Sequence, residues 1–190
     1  NTMLARELKK KLEWSRKQLG DAAKDAGKGE LREQGDEILA LQREDGSFVF
    51  DPKGRHYRKD DFMVATSFIE SMGYEGDTAL EIIMLPAMDL LEIGQKTGDD
   101  KYTEAARKSF EYCMHMARPE AGDFWETPLH AANLLAAGHA AIGYYQAYLE
   151  FGEEKYRVKS IHWIRSLLVF THFWETREVP MLYNTKPVLS

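Results

Sequence analysis

A single cysteine, Cys113, in 190 residues rules out an internal disulfide framework and leaves both reducing and oxidising compartments open. On its own it reads as a small apolar residue of a helix. A basic surplus is also missing. With 25 Lys and Arg against 31 Asp and Glu, the net charge of −6 argues against a module that grips a nucleic-acid backbone. No apolar run approaches the roughly 20 residues that span a bilayer, and the basic, amphipathic start lacks the continuous apolar stretch of a signal peptide. Phosphate-cradling glycine loops and a Gly-x-Ser-x-Gly nucleophile turn are absent. None of the 6 histidines forms a His-x-x-x-His pair, so no metal site and no cofactor is expected.

What remains is the composition of a globular protein, 44% hydrophobic and 29% charged, with length for one ordinary core. Its most informative feature is a repeat. Phe124-Trp125-Glu126-Thr127 recurs as Phe173-Trp174-Glu175-Thr176, 49 residues later, in a chain with 4 tryptophans. That spacing fits one helical hairpin, two helices of roughly twenty residues with short connections.

Periodicity supports the same architecture. Leu4, Leu8, Leu12 and Leu19 mark one face of a helix over Met3 to Ala26, and a second is expected over Glu30 to Arg43. A long loop follows, from about 44 to 76, with a short helix near Met63 to Ser71. From there Asp77 and Thr78 are placed to cap a helix through Leu80, Ile83, Met84, Met88 and Leu91 that stops at Gly94 to Gly98, with a kink at Pro86. The next helix is expected from Lys101 to Ala117, then a loop from Arg118 to Pro128, a long Ala- and Gly-rich helix from Leu129 to Phe151, and an amphipathic helix from Lys155 to Phe170. Helices with small side chains alternate with longer-sided, charged ones, and a helix apolar nearly all round belongs in an interior. Side-by-side packing of the two inner helices, with Ala132, Ala136, Ala140 and Gly143 at the close contacts, is the expected arrangement.

This alternation resembles the six-hairpin glycosidases, helical toroids whose inner helices line a cavity and whose outer helices ring them. The likeness rests on Leu91-Glu92-Ile93-Gly94-Gln95-Lys96-Thr97-Gly98-Asp99-Asp100-Lys101-Tyr102 and its echo Tyr148-Leu149-Glu150-Phe151-Gly152-Glu153-Glu154-Lys155-Tyr156, both similar to that class's inner-to-outer turn. Gln42-Arg43-Glu44-Asp45-Gly46-Ser47-Phe48 is similar to a loop start in such toroids. The resemblance implies an all-α fold of stacked antiparallel hairpins. About three hairpins, where a closed toroid needs about six, imply part of a ring. The start at Asn1-Thr2 fits a processed product or fragment, and the expected partner is the rest of a parent protein or a second copy.

Glycosidic bond cleavage uses two carboxyl groups roughly 5 to 9.5 Å apart. Glu126 and Glu175, on equivalent loops, are the candidates, with Asp45 and Asp51 able to supply the second group from the long loop. Trp125, Trp174 and Phe48 offer flat apolar faces for sugar rings. Asp123, His130 and Asn133 offer polar contacts, His130 binding a hydroxyl or holding a carboxylate and Asn133 following it along one helix face. Each has a plainer reading: the tryptophans plug hairpin ends, the glutamates favour a helix dipole, and His139 is a satisfied histidine of an Ala-Gly helix. The expected function is therefore a glycoside hydrolase acting on an oligo- or polysaccharide, with a polysaccharide lyase, a carbohydrate-binding module or a non-catalytic helical scaffold as alternatives.

Overall fold

The computed structural model describes residues 27–50, 76–123 and 127–170, without the side chains of 122, 123, 127 and 128. These residues are mostly helical: α1 (Lys28–Leu41), α2 (Leu80–Thr97), α3 (Asp100–Tyr112) with a 3-10 turn at Cys113–His115, α4 (Leu134–Phe151) and α5 (Glu154–Leu168). The remaining element is a small antiparallel pair, β1 (Glu120–Asp123) and β2 (Thr127–Ala132). The expected helices at Met3 to Ala26 and Met63 to Ser71 lie outside the described residues.

Two tight turns make two hairpins. Gly98 and Gly152 take left-handed backbone angles, φ 73° and 71°, and donate their N–H groups to the carbonyls of Gly94 and Tyr148 at 2.8 and 2.9 Å. A glycine enters this conformation without the Cβ clash other residues suffer, so each closes the end of a helix. After Gly98, the Asp99 side chain accepts from Lys101 N at 3.2 Å and starts α3 at once. The α2–α3 and α4–α5 hairpins that result then pack through α2 against α4.

The seam between these two inner helices depends on small side chains. Ala136, Ala140 and Gly143 of α4 are buried, and a Cβ at Gly143 would fall 2.6 Å from Met84 Sδ. Ala132, expected in this seam, is instead an exposed residue of β2. Between inner and outer helices the core is aromatic. Phe110 packs on Tyr144 and Tyr156 at ring separations of 5.6 and 6.3 Å, and Trp163 is fully buried. Burying a side chain such as Phe110 contributes roughly 1.5–3 kcal/mol. Two of the polar ends are matched, Tyr144 donating to the Phe110 carbonyl at 2.9 Å and Tyr102 to the Arg32 carbonyl at 2.8 Å, which holds α1 on α3, while Trp163 Nε1 is buried with no hydrogen-bond partner among the described residues.

Several expectations are corrected. Helix α2 starts at Leu80 after Ala79, and neither Asp77 nor Thr78 caps it; Thr78 Oγ1 donates instead to the Phe48 carbonyl at 2.7 Å. Segment 118–128, expected as a loop, contributes to the β pair, and α4 begins five residues later than expected because 129–132 are strand. Asn133 caps that helix: its Oδ1 accepts from Leu135 N at 2.7 Å and Ala136 N at 3.4 Å.

Candidate functional site

The described parts of the connections from α1 to α2 and from α3 to α4 meet at the end where the two inner helices begin. The short turns at Gly98 and Gly152 lie at the other end. Phe50 N donates to the Asp77 carbonyl at 2.7 Å and Asn133 N to the Pro119 carbonyl at 2.8 Å, so each connection is tied down just before an inner helix starts. The β pair packs beside both helices through β1.

Within that pair the register breaks. Ala121 faces Ala131 and Asp123 faces Thr127, so three residues of β2, 128–130, stand opposite one of β1. Such a bulge re-aims side chains. His130 sits in it with φ 71°, the one non-glycine residue with positive φ among the described residues. A left-handed backbone costs an L-residue roughly 1–2 kcal/mol, which the surrounding contacts must offset. His130 Nδ1 is 2.8 Å from Glu120 Oε2, diagonally across the two strands, and its Nε2 is 3.9 Å from Asp77 Oδ2. Arg118 Nη1 approaches the other Glu120 oxygen at 3.3 Å. The imidazole thus stands between two carboxylates from different connections. All three side chains are partly exposed, at 24% for Glu120, 34% for Asp77 and 49% for His130.

Beside this group lies an open cavity of about 350 Å³, lined by Thr78, Tyr112, His115, Arg118 and Glu120 among others. Glu120 belongs to both features, and the size is at the lower end of the 300–1,000 Å³ common for small-molecule sites. A second histidine–carboxylate contact lies nearby in the fold: His139 Nδ1 is 2.7 Å from Glu81 Oε1, joining α4 to the first turn of α2. His139 is therefore a satisfied histidine of the helix seam. Among the described residues no group of three His, Cys, Asp or Glu side chains is arranged to hold a metal ion.

The residues singled out from sequence divide into three groups. Asp51, Trp125, Glu126, Trp174 and Glu175 lie outside the described residues. Asp123 is the last residue of β1, paired with Thr127. The remaining four are placed in detail. His130 contacts the Glu120 carboxylate, and it does so from a strand, not from a helix face shared with Asn133. Asn133 is committed to capping α4. Phe48, 5% exposed, belongs to the core and offers no open face to a sugar ring. Asp45 shapes its own turn, accepting from Ser47 N at 2.9 Å and Ser47 Oγ at 2.6 Å, and the Ser47 hydroxyl holds its carboxyl below the usual range. The residues that sequence reasoning passed over are Asp77, read as a cap, and Glu120, read as part of a loop.

No family model matches the chain, and comparison with curated proteins and with solved structures finds no match.

Proposed function

We propose that this chain is part of an (α/α) toroid that cleaves glycosidic bonds by paired-carboxylate chemistry at the end where its inner helices begin. The observation that carries the proposal is the Asp77–His130–Glu120 group beside an open cavity. Because Glu120 Oε2 and Asp77 Oδ2 lie 2.8 and 3.9 Å from the two nitrogens of one imidazole ring, they are at most about 9 Å apart, which does not exceed the roughly 9.5 Å upper limit for glycoside hydrolysis. In this reading one carboxyl donates a proton to the leaving oxygen and the other activates water, while His130 fixes the orientation of Glu120 through Nδ1 and uses Nε2, 3.9 Å from Asp77, to hydrogen-bond a substrate hydroxyl. Glu126 shares the α3–α4 connection with Glu120 and His130 and remains a candidate for the same proton-donor role; Glu175, on the repeated loop, remains a candidate second carboxylate. Stacking of two hairpins through α2 and α4 is what a toroid sector requires, and further hairpins or a second copy would complete the ring.

A non-catalytic helical scaffold is the competing reading, favoured by the Arg118–Glu120 contact, which ties one carboxylate to a cation. Activity separates the two. The full-length protein is incubated with a panel of neutral and uronate-bearing oligosaccharides, and products are read by mass spectrometry. Cleavage is expected, with Glu120→Gln and Asp77→Asn each slowing it by about 10²-fold or more, the usual worth of a general acid or base. Unaltered turnover in both variants would return the group to a structural role, and unsaturated products would assign the chemistry to a lyase.

A further inference from the structure

No further inference is drawn: the strongest candidate, the exposed apolar face of α4 formed by Leu135, Ile142 and Leu149, is an unpartnered helix surface for which nothing among the described residues shows whether further hairpins or a second copy cover it.

Discussion

Two identical substitutions in α4 are expected to act in opposite directions. Replacing glycine by alanine inside a helix gains about 0.8–1 kcal/mol of helix propensity, and overpacking a core costs about 1–3 kcal/mol. At Gly143 both effects apply. The new methyl group would lie 2.6 Å from Met84 Sδ and 3.1 Å from Met88 Cγ, and Met84 is fully buried, so its thioether has no solvent to swing into. Gly143→Ala should therefore cost about 1 kcal/mol net. At Gly138 the nearest atom to a new Cβ is Leu167 Cδ1 at 3.9 Å, an ordinary contact, and the propensity gain of about 0.5–1 kcal/mol should be realised. The two variants should differ by roughly 2 kcal/mol in urea denaturation followed by far-UV circular dichroism. Met84→Ala removes the obstructing sulfur. In that background Gly143→Ala should stop destabilising, a coupling of about 1–2 kcal/mol for residues in direct contact. Equal stabilisation by both alanines, or no coupling to Met84, would refute the close approach of α2 and α4.

The remaining expectations concern the buried thiol and the uncovered helix face. Burial pushes the Cys113 thiol up to about 12. Below pH 9 the stability linked to this group is fully present; above it the unfolded chain loses the proton while the folded chain keeps it, so stability falls by up to about 1.4 kcal/mol per pH unit until the folded thiol also titrates. Cys113→Ala should remove this part of the alkaline slope, and native protein should resist a thiol reagent that labels the unfolded chain at once; rapid native labelling would contradict the burial. For the α4 face where, among the described residues, Leu135, Ile142 and Leu149 are each about half exposed, light scattering tests whether a second copy is the cover: self-association lost in Ile142→Glu would assign the face to one. A monodisperse monomer at high concentration would exclude a second copy as the cover.

The helices were legible because their signals are local. Apolar spacing and the glycines at 98 and 152 located all five described helices, three of them to within about three residues at both ends, and the Ala-Gly enrichment of α4 placed it against α2. The β pair was not legible for an equally local reason. Glu120-Ala121-Gly122-Asp123 has neither alternation nor β-branched residues, and β2 carries Pro128 and two alanines, so its pairing is set by tertiary context. Asn133 ahead of an Ala-Leu run was a readable cap signal, and using it would have started α4 at the right residue. The candidate site shows the limit most plainly. Asp77, Glu120 and His130 are brought together by a strand bulge and by docking of β1 near the start of α2, and no spacing in the sequence announces that meeting. Phe48, chosen for its aromatic face, was drawn into the core because the loop that carries it packs over the beginning of α2.

The most direct test of carbohydrate binding at the start of the inner helices is a titration of isotope-labelled protein with an oligosaccharide panel, followed by backbone-amide chemical shifts. The expected result is saturable shifts concentrated at residues 76–80, 115–120 and 129–133, weakened in His130→Ala. Shifts concentrated instead around the Gly98 and Gly152 turns, or none with any neutral or acidic oligosaccharide, would contradict the proposal of a sugar site at this end.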